Sequence, residues 1–141
     1  MNEKQVEFGL FIARLVLGSI MLIHGIQKWM NLDMVTGMFQ DMMGLPGALA
    51  IVVAIVETVA GLSLILGLFV KLSSALLGLI MIGAMVTVKI PMVGFFGNGE
   101  MAGWEFDVSL LALSIVLTLS GSRLMAITTQ QNRDVNKHTN V

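Results

Sequence analysis

Residues 8–29 read Phe8-Gly-Leu-Phe-Ile-Ala-Arg14-Leu-Val-Leu-Gly-Ser-Ile-Met-Leu-Ile-His24-Gly-Ile-Gln-Lys28-Trp29, an apolar run interrupted by three basic side chains. A helix rises about 1.5 Å per residue and needs about 20 residues to cross about 30 Å of hydrocarbon, so the run has the length of a membrane span. At about 100° per residue, Arg14, His24 and Lys28 fall within an arc of about 80°, and one face of one helix presents them all. Ionisable groups at such depth are costly, and they mark either an internal ion pair or a functional site.

The rest of the chain agrees with a lipid solvent. Of 141 residues, 56% are hydrophobic and only 12% charged, about half the charge of an ordinary soluble domain. Net charge is −1 with no basic block, so nothing points to nucleic acid. The absence of cysteine excludes disulfides, thiol redox chemistry and iron–sulfur ligation. Arg14 within the first apolar run, and no small-residue cleavage site after it, argue against a cleaved signal peptide.

Four apolar segments stand out, at about 8–29, 48–69, 72–89 and 104–121. Between the first two, Met34, Met38, Phe39, Met42 and Met43 recur at helical spacing and predict a short interfacial helix before the turn Gly44-Leu-Pro-Gly47. Pro91 and the glycine-rich Gly94-Phe-Phe-Gly-Asn-Gly99 separate the third and fourth. From Thr128 onward the polar, aperiodic sequence predicts a disordered tail, leaving 1–127 as the folded domain. The expected fold is all-α: an integral membrane four-helix up-down bundle. Lys4, Lys71, Arg123, Arg133 and Lys137 against Lys28 and Lys89 favour both termini inside, and Trp29 and Trp104 then sit at the outer interface.

The polar residues within the spans leave alternatives open. Glu57 lies near the middle of the second segment, and Arg14 falls about 7 Å from its own midpoint by helix rise. The plainer reading is an Arg14–Glu57 pair locking two helices; the other has Glu57 exchanging protons beside a ligand. His24 is either an interhelical hydrogen-bond donor or a ligand-binding, proton-transferring imidazole. Lys28 either snorkels to headgroups or, with His24, Lys89 and Glu105, rims a pocket walled by Phe95, Phe96 and Trp104. A Lys89–Glu105 salt bridge is the plain reading of the last pair. A pocket apolar below and polar above suits a quinone. A metal is not expected, because the only other histidine, His138, is in the tail, and methionine here is apolar filler.

The run Arg14-Leu-Val-Leu-Gly18, continued by His24-Gly-Ile-Gln-Lys28, resembles the first helix of the DoxX family of small bacterial membrane proteins. Leu45-Pro46, Glu57 with Gly61, Leu66-Gly-Leu68 before Lys71, Gly94-Phe-Phe96, Trp104-Glu105 and Gly121-Ser-Arg123 follow in the family's order, so the resemblance covers about residues 8–125. Lys89 departs from it, since many relatives have histidine there. The resemblance implies a multi-pass protein of the bacterial cell membrane and a component of a quinone-linked oxidoreductase, in some relatives tied to oxidative or quinone stress. By position, Arg14, His24, Lys28, Glu57 and Glu105 match the family's polar positions; with the pocket reading above, the candidate site has His24 and Glu57 handling protons and Arg14, Lys28, Lys89, Trp104 and Glu105 binding the ligand. The expected cofactor is a bound quinone with no intrinsic redox centre; the expected partners are the bilayer, a redox enzyme and a second copy of the chain. The alternatives are a non-catalytic assembly subunit and a small proton-coupled transporter.

Overall fold

A computed structural model describes residues 2–127; the tail expected to be disordered lies outside the described residues. Helix α1, Glu3–Met30, runs unbroken through the basic face. It starts where Asn2 accepts from the Lys4 amide while its own amide donates to the Gln5 side chain, a reciprocal box that satisfies two otherwise orphaned N–H groups. The short helix α2, Leu32–Asp41, buries Val35 and Phe39 against Ala50 and leaves Met34 and Met42 exposed. Helix α3, Gly47–Leu66, follows Pro46 and ends at Gly67, whose φ of 71° closes the last turn through bonds from the Gly67 and Leu68 amides to Leu64 and Ser63.

Helix α4, Val70–Ala84, does not stop near residue 89 as its sequence predicts. It widens into a π-helical segment, Met85–Val93, with Pro91 inside. Proline has no N–H and its ring crowds the carbonyl one turn back; wider turns relieve both, and the Gly94 amide reaches the Lys89 carbonyl at 3.0 Å. Helix α5, Trp104–Ser120, follows the glycine-rich loop. No strand occurs among the described residues. Glu3–Met30, Gly47–Leu66 and Val70–Val93 are long and apolar enough to cross a membrane; α5 has 17 residues.

Leu17 and Met21 of α1, Ala60 and Leu64 of α3, Leu77 and Met81 of α4, and Leu110 and Leu117 of α5 form one core. Val59, Leu79 and Leu119 point outward and are well over half exposed, as side chains solvated by acyl chains should be. Glycine sets the register of α1 on α3. A Cβ on Gly61 would lie 2.7 Å from the Leu22 amide nitrogen, and one on Gly18 would lie 2.8 Å from the Gly61 carbonyl. Gly25 meets Thr58 in the same way, so the two backbones run antiparallel in direct contact. Gly78 packs on Ser114 between α4 and α5. Helix α5 returns along α1, with Phe106 beside His24 and Glu7 accepting from the Arg123 and Leu124 amides.

The close approach makes a sign prediction. Gly61→Ala should lose about 1–3 kcal/mol by overpacking, whereas Gly9→Ala, with nothing within 4 Å of the new carbon, should gain about 0.5–1 kcal/mol from helix propensity. Thermal unfolding in detergent micelles reads both; equal effects would contradict backbone contact at Gly61.

Candidate functional site

Register decides which charges meet. Gly25 is level with Thr58, so Lys28, less than one turn further along α1, reaches Glu57, and its Nζ donates to Oε2 at 2.6 Å. Glu57 is 3% exposed. The Trp29 indole closes the same corner by donating to Thr58 Oγ1 at 3.1 Å, and that hydroxyl donates to the Ala54 carbonyl at 2.7 Å. The expected Arg14–Glu57 pair does not form, because Arg14 is eleven residues from Gly25, about 16 Å along the axis. Aligning the midpoints of the two apolar runs misplaced α1; the glycine contacts slide it. Lys28 likewise turns inward rather than out to headgroups.

A second pair also acts on His24. Lys89 reaches Asp107 at 3.8 Å and donates to the Ala102 carbonyl at 2.6 Å. The expected Lys89–Glu105 bridge is absent among the described residues. On α5, Glu105 and Asp107 lie about 200° apart at 100° per residue, and it is Asp107 that turns inward, at 6% exposure. Asp107 is not among the site residues expected from the sequence. Its signal was available, since Trp104 was placed at the interface and the residue three positions on falls on the opposite side from Glu105. The π-helical segment carries Lys89 toward this corner.

His24 is half-buried, with its ring centroid 6.4 Å from that of Phe106. It feels the charges of Lys28, Asp107 and Lys89. Phe95 stacks edge-on against Trp104 at 4.5 Å and against Phe96 at 4.8 Å, which folds the glycine-rich loop over the start of α5. His24, Lys28, Glu57, Lys89, Asp107 and Trp104 therefore gather at one end, from four elements. Chemically, that end offers an imidazole between two lysine–carboxylate pairs, bounded by aromatic rings.

Arg14 is not part of it. Its guanidinium is fully buried at the other end, donating to the Met125 carbonyl at 3.4 Å and lying 5.2 Å from the Phe11 ring centroid. A Cβ on Gly67 would lie 2.7 Å from Arg14 Nη1, so the cation packs against the C-terminus of α3, where the helix dipole favours positive charge.

The sequence model of the DoxX family matches residues 9–90. The chain is 36% identical over 125 residues to a Bacillus subtilis (strain 168) protein named "Putative oxidoreductase CatD", covering 89% of this chain and 88% of that one. It is 32% identical over 119 residues to "Uncharacterized membrane protein Rv3486" of Mycobacterium tuberculosis, covering 77% of this chain and 72% of the relative. No solved structure matches.

The Lys28–Glu57 pair carries its own test. Lys28→Met strands a buried carboxylate and should destabilise the protein by about 3–5 kcal/mol. Adding Glu57→Gln should restore more than half of that loss. Strictly additive penalties in the double variant would mean that the two side chains do not interact.

Proposed function

The chain belongs to the DoxX family, and on that footing we propose that it is the quinone-interacting membrane subunit of an oxidoreductase, working with a redox partner protein. The observation that carries this reading is the convergence of His24 with two lysine–carboxylate pairs at one aromatic-bounded end. A quinone ring needs hydrogen-bond donors at its two carbonyls, a proton route and an apolar exit for its tail. The imidazole of His24 supplies the first donor and moves the proton. The ammonium groups of Lys28 and Lys89 hold positive charge where a reduced ring oxygen would gain negative charge. Phe106 and the Phe95–Trp104 stack offer flat apolar surface for the ring. The described residues contain no cysteine, and no trio of His, Cys, Asp or Glu is placed to hold a metal, so in this reading electrons enter from the partner's cofactor.

The same proposal includes the topology. Helices α1, α3, α4 with its π-helical extension, and α5 act as a four-helix up-down bundle of the bacterial cell membrane, with both termini in the cytoplasm. Lys71 packs against Gly121 and Glu7 binds the Arg123 amide at one end, while Lys28 and Lys89 lie at the other; the positive-inside rule puts the first end in the cytoplasm. In this orientation the His24 site faces the outer leaflet.

A second reading has a specific observation behind it. Glu57 Oε2 accepts from the Lys28 ammonium at 2.6 Å, which suits a helix lock in a non-catalytic assembly subunit as well as a proton-handling group. Ligand binding separates the two. A dimethylnaphthoquinone should quench the fluorescence of Trp104 saturably in a Trp29→Phe background, and His24→Ala should weaken this by up to about 10-fold, the worth of one hydrogen bond. Absence of saturable quenching in the parent, or equal affinity in the His24 variant with retained folding, would leave the assembly role.

A further inference from the structure

The end that holds His24 has two buried carboxylates, and their hydrogen bonding differs. Glu57 Oε2 receives the Lys28 ammonium at 2.6 Å. Asp107 Oδ2 lies 3.8 Å from Lys89 Nζ, beyond an ordinary hydrogen bond, because that ammonium donates to the Ala102 carbonyl at 2.6 Å. Oδ2 is buried and has no hydrogen-bond partner among the described residues. An ionised carboxylate accepts hydrogen bonds and cannot donate them, and leaving a charged acceptor bare inside a protein is costly. Asp107 also lies in the first turn of α5, where the helix dipole favours the anion, and Lys89 supplies a counter-charge without occupying the acceptor. The charged groups that face it are Lys89 and His24, both basic. The corner is thus an anionic acceptor held in a cationic surround, one residue along the helix from the Phe106 ring beside His24.

A ligand that satisfies a bare carboxylate must bring a hydrogen-bond donor, and on a quinone-type ring that donor is a hydroxyl. An oxidised quinone has two carbonyl acceptors and no donor, so it leaves Oδ2 unsatisfied; the dihydroxy form donates directly to it. Resting on the quinone reading above, we infer that Asp107 Oδ2 is the acceptor for a ring hydroxyl, and that the site selects the reduced, hydroquinone form of its ligand over the oxidised one. His24 then serves the opposite oxygen, and Glu57, already engaged by Lys28, positions α1 against α3 rather than touching the ring.

Anaerobic titration of the full-length protein with a dimethylnaphthoquinone and with its dithionite-reduced dihydroxy form tests this. The parent should bind the reduced form about 10-fold or more tightly than the oxidised form, as a hydrogen bond to a charged acceptor is worth. Asp107→Asn should remove that preference while changing affinity for the oxidised form little, and Asp107→Glu, which keeps the acceptor, should retain part of it. His24→Ala should weaken both forms alike. A preference that survives Asp107→Asn, or a parent that favours the oxidised ring, overturns the role of Asp107 and leaves the quinone reading standing. A parent that binds neither form removes both. If Asp107→Asn fails to fold, the retained preference in Asp107→Glu decides: its loss overturns the inference.

Discussion

Backbone contact between α1 and α3 is the constraint on which the rest of the arrangement depends. With no side chains at Gly18, Gly25 and Gly61, the two helices meet at carbonyl and amide atoms instead of being held apart by methyl groups. In lipid, where burying apolar surface between helices gains little, such close packing is a principal source of association. It also fixes a single sliding register. One turn of slip would part Lys28 from Glu57 and leave a charge alone at a depth where it is expensive. Packing and electrostatics therefore enforce the same alignment, and both draw on the segment that begins at Arg14 and ends at Trp29.

The charges of the protein are divided between its two ends, and the two ends are built differently. At the Arg14 end the cation is sealed by its own chain: Gly67 at the turn after α3, the Phe11 ring, and the Met125 carbonyl of the segment after α5. Everything there holds termini and turns together. At the His24 end, two lysine–carboxylate pairs from four elements surround a half-buried imidazole, and one carboxylate oxygen has no hydrogen-bond partner among the described residues. Unpartnered buried atoms occur at both ends, since Arg14 Nε and Nη1 also have no hydrogen-bond partner among the described residues; at the Arg14 end they are donors of a cation, at the His24 end an acceptor of a carboxylate.

Much of this was legible in the sequence. Helix existence followed from length and apolarity, the short helix α2 from methionine spacing, and the gathering of His24 with Lys28 from their shared helix face. Partner choice was not legible. Arg14–Glu57 looked natural when apolar midpoints were aligned, and only the Gly18–Gly61 contact, a matter of backbone approach, moves Lys28 into that place. Lys89 was matched to Glu105 by proximity in the chain, yet a helix turns 100° per residue and Asp107 is the acid that faces inward. The π-helical segment was hidden for a related reason: Pro91 signals an end, and whether the helix stops or widens depends on the neighbours that hold it.

The central claim is that buried charges from separate helices meet each other rather than the headgroups. The most direct measurement is a nitrogen–carbon dipolar distance, by solid-state NMR in lipid bilayers, between the Lys28 ammonium and the Glu57 carboxyl carbon, assigned by comparison with Glu57→Gln. A 2.6 Å contact between Nζ and Oε2 requires strong coupling that vanishes in the variant. No coupling, with Lys28 instead close to lipid phosphorus, would contradict the register and the site built on it.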